Sequence, residues 1–309
     1  MIPQDVLPDP KTYDDVKTNV EILPPWEQSL LQELVLINLE AQIWESLCNT
    51  QCFVATDGSA PQQKGSFMWI LSNASGDRLA RGSGRLFGHA ISSYRAEAYG
   101  LLSAIRFLYH MVRLHKKARD HPKAPHLVCD NQGLITMITT KLTYSTIYVN
   151  TTMEAEWDCI AQILSTPQSM GDFAPTIEHI KGHQDETTPY EELPLLAQLN
   201  CDANVHANRY LQEHSTIIHT TAYLFPEGQC VLQLPEGTIT RNIKEECVKA
   251  WTLPPYREYV TTKSGWWTDK IYNMVDWTAH SQALKQHEKH RTTLVKYIHS
   301  ILPLGKQVH

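Results

Sequence analysis

No stretch of this 309-residue chain approaches the ~18 consecutive apolar residues that a membrane-spanning helix needs. The opening residues, MIPQDVLPDPKTYDD, lack the apolar centre of a secretory leader. Together these gaps predict an intracellular protein, cytoplasmic or nuclear. Cysteine is sparse and unordered. Seven residues, an odd number, stand at 48, 52, 129, 159, 201, 230 and 247, which excludes a disulfide framework as the scaffold. Cys48 and Cys52 form a C-x3-C pair, but no second pair with ligand spacing follows nearby, so structural zinc is not expected. Basic excess is missing too, since the net charge is −6. A nucleic-acid contact would therefore have to be local. Internal repeats and long low-complexity tracts are absent.

Charge becomes informative when the chain is cut into segments. Residues 1–49 hold nine acidic side chains against two basic ones, residues 50–215 are nearly balanced, and residues 216–309 hold eleven basic against eight acidic. The expected division is an acidic arm and helix over 1–49, a central α/β domain over 50–215, and a C-terminal extension over 216–309. Residues 1–25, rich in Pro and Asp, read as an extended arm. The run WEQSLLQELVLINLEAQIWESL (26–47) has helical spacing through Leu30, Leu34, Ile37, Ala41 and Trp44.

Three strand-like runs follow, at 52–57, 65–73 and 77–88, with NASGD as a turn between the last two. They read as an antiparallel meander. Tyr94, Ala98, Leu101, Ile105, Leu108 and Val112 then mark one face of an amphipathic helix that Ser92 or Ser93 can cap. PHLVCDNQ (125–132) and PTIEHIKGH (175–183) read as strands. NQGLITMITTKL, EAEWDCIAQILS and residues 193–212 read as helices. The middle of the chain is thus β-β-β-α-β-α-α-β-α, a mixed five-stranded sheet flanked by helices. After it, residues 229–242 read as a hairpin and the remainder as helices.

Asp57 is the anomaly of this pattern. It closes the apolar run CFVAT, where a lone buried carboxylate costs several kcal/mol unless something compensates it. Asp130 closes another apolar strand, Glu97 lies beside a helix's apolar stripe, and Asp202 lies close to the buried face of the helix at 193–212. Open α/β sheets place their sites at the carboxyl ends of strands. A cluster of acids there repels itself unless a multivalent cation neutralises it, and oxygen-only ligands suit Mg²⁺ or Mn²⁺. Two such ions activate a water and stabilise the leaving oxygen of a phosphodiester.

The motifs TDGS, SYRAEAYGLL, VCDNQ, IKGHQD and NCDANVHAN, in this order, resemble those of the type 1 ribonuclease H family. Their SYRAE and KGHQD forms resemble ribonuclease H modules in reverse-transcriptase polyproteins of retrotransposons. The likeness spans roughly residues 50–213. It implies a ribonuclease H-like fold and Mg²⁺-dependent hydrolysis of the RNA strand of RNA–DNA hybrids, with Mn²⁺ as a substitute. It implies Asp57, Glu97, Asp130 and Asp202 as ligands of two ions, and His183 as a histidine that assists water or product transfer. Ser59, Asn131 and Gln132 become the implied substrate contacts. A reverse-transcriptase module on a separate or lost chain is the implied partner.

Several departures keep alternatives open. The segment between His183 and Asp202 is long, so Asp185 competes with Asp202 as fourth ligand. Ser93 and Tyr94 replace the family's polar pair before the glutamate, and a tryptophan-rich basic protrusion is not evident after Gln132. His179 and His183 form an H-x3-H pair, but a strand-to-loop placement argues against zinc. Trp251, Trp266, Trp267 and Trp277 lie among Lys and His, a pattern that serves either core packing or single-strand stacking. A remnant that binds without turnover, and an exonuclease or integrase-like relative, are the competing readings on the same fold.

Overall fold

The computed structural model describes residues 15–293 apart from 32, 62–63, 89–90, 118–119, 145–150, 152, 215–224, 226–231, 235–236 and 264–266. The hairpin tip at 235–236, Cys230, Trp266 and the helix expected beyond 293 lie outside the described residues. The chain divides into two compact units, residues 1–241 and 242–309.

In the first unit the elements run α1 (Val16–Val20), α2 (Pro25–Leu31), β1 (Glu33–Leu36), α3 (Glu40–Asn49), β2 (Cys52–Ser59), β3 (Ser66–Asn73) and β4 (Arg78–Arg85). They continue with α4 (Ser93–His115), β5 (His126–Cys129), α5 (Gln132–Leu142), α6 (Trp157–Gln168), β6 (Thr176–His179) and α7 (Leu195–Glu213). A two-stranded ladder, β7 (Gln233–Leu234) with β8 (Gly237–Thr238), closes the unit where a hairpin was expected. The main sheet has the order β1-β4-β3-β2-β5-β6, with β2, β5 and β6 parallel and the other pairs antiparallel.

The mixed helix-flanked sheet is as expected, but it has six strands among the described residues, one more than the pattern suggested. The sixth is β1, taken from the run read as one helix over 26–47. That run is broken into α2, β1 and α3. Glu33–Leu36 pairs with β4 from Ser83 back to Ala80, covering an edge that would otherwise present unpaired amides. Helical spacing and a short apolar strand coincide in this stretch, and only the free edge of β4 separates them. Part of the expected extended arm is likewise helical. Asp15 caps α1 by accepting from the Thr18 amide at 2.7 Å.

Strand alternation sorts the two faces of the sheet. Val54, Phe67, Trp69 and Leu71 face the large core beneath α4 and α6, whereas Ala55, Met68, Ile70 and Val128 face Leu199, Ala203 and Ala207 of α7. Helix α4 is locked into the first face by Arg95, which is 2% exposed. Its guanidinium forks onto Asp158 at 2.8 and 2.9 Å, reaches Glu156 at 2.7 Å, and donates to the Phe87 carbonyl. Glu27 of α2 takes Arg106 and His110 of α4 in a second buried cluster.

The second unit contains α8 (Ile243–Lys263), α9 (Asp269–Met274) and α10 (Trp277–Gln286). Its small core joins Val260, Trp267 and Tyr272, with Tyr256 and Trp277 against them. Trp267 and Trp277 are thus packing residues, while Trp251 is 83% exposed. No helix among the described residues is long and apolar enough to cross a membrane.

Candidate metal centre

Three of the expected acids come together at the carboxyl end of the parallel strands. Asp57 lies near the end of β2, Asp130 follows β5, and Glu97 reaches them from the second turn of α4. The parallel register Thr56↔Cys129 puts the two strand ends side by side. Glycines allow the close approach of α4. A Cβ on Gly58 would sit 2.4 Å from the Ala96 backbone, and one on Gly100 would sit 3.2 Å from the Met68 carbonyl. Gly182, beyond β6, hugs Asp130, since a Cβ there would lie 2.2 Å from Oδ2.

The electrostatics of this cluster are those of a site short of positive charge. Asp57 is 6% exposed and Glu97 4%. Both carboxylates accept from the one amide of Gly58, at 2.9 Å for Glu97 Oε1. Among the described residues no lysine or arginine pairs with Asp57, Glu97 or Asp130; the salt bridges of the central domain go elsewhere. Burial, and then the charge of Asp130, pushes Asp57 up to about 7. Burial and the charges of Asp57 and Asp130 hold Glu97 well above the carboxylate range, and a side-chain interaction with Asp57 adds to the rise. Burial raises Asp130 as well, with His183 working against it.

Glu97, Cys129 and Asp130 present ligand atoms within 4.8 Å of one another. Cys129 donates to Glu97 Oε2 at 3.5 Å, and burial followed by the Glu97 charge pushes its thiol up, so it stands beside the acids as a neutral group. The donor set offered is therefore carboxylate oxygen, which suits a hard divalent cation.

His183 sits in the left-handed region with φ 53°, on an exposed loop, its Nδ1 3.7 Å from Glu186. It is close enough for its charge to act on both Asp57 and Asp130. The implied substrate contacts follow the acids along the chain, Ser59 two residues past Asp57, and Asn131 and Gln132 directly after Asp130. Ser59 donates to Asn208 Oδ1 at 2.7 Å. Asn131 caps α5 by accepting from the Leu134 amide, and exposed Gln132 donates to Thr136 at 3.2 Å.

Asp202 is placed differently. Its Oδ2 pairs with Arg78 at 2.7 Å and its Oδ1 accepts from Tyr190 at 2.8 Å. It shares a cavity of about 180 Å³ with Asp185, Tyr190, Cys201, Val205 and His206. Asp185, the other candidate, interacts with Cys201 there. The largest influences on Asp57 are its burial, Asp130, Glu97, Gly58 and His183. Sequence order could not show the Arg78–Asp202 pair, whose members lie 124 positions apart. The buried Arg95–Glu156–Asp158 network carried no sequence signal either, since its acids lie more than sixty positions from Arg95.

No protein-family model matches the chain, and no curated protein matches it. Several solved structures are similar. Ribonuclease H1 of the halophilic archaeon Halobacterium salinarum is 16% identical, covering 53% of this chain and 98% of its own, with a TM-score of 0.33. The ribonuclease H domain of prototype foamy virus is 17% identical over 52% and 93%, with a TM-score of 0.37. A compost-derived ribonuclease H1, LC11, solved with an RNA/DNA hybrid, is 13% identical over 52% and 99%, with a TM-score of 0.35.

Proposed function

We propose that this chain is a metal-dependent endonuclease of retroelement origin that hydrolyses the RNA strand of RNA–DNA hybrids. One observation carries the reading: Asp57, Glu97 and Asp130, buried to different depths, converge at one strand-end mouth with no lysine or arginine partner among the described residues. Such a cluster is unfavourable as an isolated feature and becomes favourable when a divalent cation enters it. The five motifs, in order on matching elements, supply the substrate class.

Asp57, Glu97 and Asp130 would hold Mg²⁺ or Mn²⁺ through their carboxylate oxygens. When bound, the ions supply a nucleophilic water and stabilise the leaving 3′-oxygen. His183, on its exposed loop, carries a proton or releases product. Ser59, Asn131 and Gln132 offer hydroxyl and amide groups to the hybrid, and the 2′-hydroxyl is what distinguishes RNA from DNA.

The test is cleavage of hybrid, duplex RNA and duplex DNA by the purified chain in Mg²⁺ or Mn²⁺. Asp57→Asn should remove most turnover while leaving hybrid affinity much less altered, because affinity rests on phosphate contacts. His183→Ala should be milder, a loss of ~10²–10⁴-fold typical of proton-transfer help. A folded wild-type chain that binds hybrid yet cleaves no faster than Asp57→Asn sinks the enzyme reading. One observation favours the second reading, a hybrid-binding module without turnover: the Asp202 carboxylate is already engaged by Arg78 and Tyr190.

A further inference from the structure

The direction of α7 shows which of its residues faces the acids. Leu195, at its start, lies by Gly76 in the β3–β4 turn, at the Cys52 end of β2. Near its end, Ser66 donates to the Ala207 carbonyl and Ser59 to Asn208, both at the opposite end of β2. Helix and strand therefore run the same way. One helical turn back from Asn208 is Asn204, about 6 Å along the axis. Two residues back from Ser59 is Asp57, roughly 6–7 Å along the strand. Asn204 is level with Asp57.

The rotation around the helix agrees. Ala203 and Ala207 point into the sheet, and Leu193, Ala197 and Cys201 pack with Ile180 beyond β6. Asn204, about 100° from Ala203 on that same side, faces β5 and β6, whose carboxyl ends lead into Asp130 and Gly182. Asp202, about 100° the other way, faces β4 and finds Arg78. Asn204 also accepts from Asn208 at 2.8 Å, which places its amide in the row that ends on Ser59. Asn200, one turn earlier in that row, is 2% exposed and leaves its Nδ2 without a partner.

From this geometry we infer that Asn204, and not Asp202, is the α7 residue facing the carboxylate cluster, so that a neutral amide stands where a fourth ligand would come from. Asp202 is a positioning residue that ties α7 to β4 and to the Tyr190 loop. The consequence is charge balance. Three carboxylates match one divalent cation with charge to spare, but two ions would leave a net positive site. The second ion is accordingly held weakly. This inference rests on the metal reading of the Asp57 cluster and specifies its ligand set.

Calorimetric titration of the full chain with Mn²⁺, followed by melting curves, tests it with activity set aside. The expected result is one tight ion for wild type and near-complete loss in Asp57→Asn. Asn204→Asp should add a second ion or tighten binding by roughly tenfold, about 1.4 kcal/mol. Asp202→Asn should bind Mn²⁺ within about twofold of wild type while melting lower, and Tyr190→Phe should do the same. If Asp202→Asn loses the ion as fully as Asp57→Asn, or if Asn204→Asp binds as wild type does, the inference is overturned. A wild type that takes up no Mn²⁺ instead sinks the metal reading itself, and the inference with it.

Discussion

Asp57 combines a buried setting with a charge it cannot easily carry, and that conflict has a measurable consequence. Its carboxyl is pushed up to about 7 in the folded chain by burial and the neighbouring Asp130, against an ordinary value near ~4 when unfolded. Between those two values the folded state holds the proton that the unfolded state has lost. Stability contributed by this group is therefore full below about pH 4 and is lost as pH rises toward about 7. Urea unfolding in EDTA should show stability falling across that window. Asp57→Asn should flatten the fall, and saturating Mg²⁺ should do likewise, since the cation stabilises the ionised form. A slope unchanged in both arms would show that Asp57 is not the group titrating.

Elements owe their placement to a few long-range polar contacts. Arg95 and Glu97 stand two residues apart on α4, so the network that pins Arg95 also sets the reach of Glu97. Removing Arg95 strands Glu156, a buried acid whose relief comes first from that guanidinium. Arg95→Ala should cost about 3–5 kcal/mol in chemical denaturation, the usual penalty for breaking a buried ion pair from one side. Arg95→Lys should recover little of it, because an ammonium cannot reproduce the fork onto Asp158. A loss below about 1 kcal/mol for both would mean that the network is a surface-like pair of small worth. The strand β1 makes the same point in the backbone. Its residues satisfy a helical pattern, and the unpaired edge of β4 recruits them instead.

At the scale of the whole molecule, ion binding and folding are linked. A cation that binds only the folded first unit stabilises it by about 2.7 kcal/mol at a hundredfold excess over its dissociation constant. For a unit of this size that corresponds to a rise in melting temperature of about 5–10 °C. Scanning calorimetry with millimolar Mg²⁺ or Mn²⁺ against EDTA should show that rise in wild type and not in Asp57→Asn. An identical melting temperature in both buffers would count against any functional cation here.

Local chemistry was legible from the residues in order: alternation marked the meander and the strands β5 and β6, and Asp57 and Asp130 stood out as charges closing apolar runs. Glu97 was visible because its place beside an apolar stripe is a matter of helical period. What the order of residues left open was everything set by rotation or by distant pairing. Whether residues 33–36 become helix or strand depends on an edge formed some fifty residues later. Whether α7 turns Asp202 or Asn204 toward the cleft depends on which side of the helix the sheet occupies, and two positions rotate the answer by about 200°. Period and spacing are local properties and survive in one dimension. Facing and partnership exist only once the sheet has chosen its neighbours.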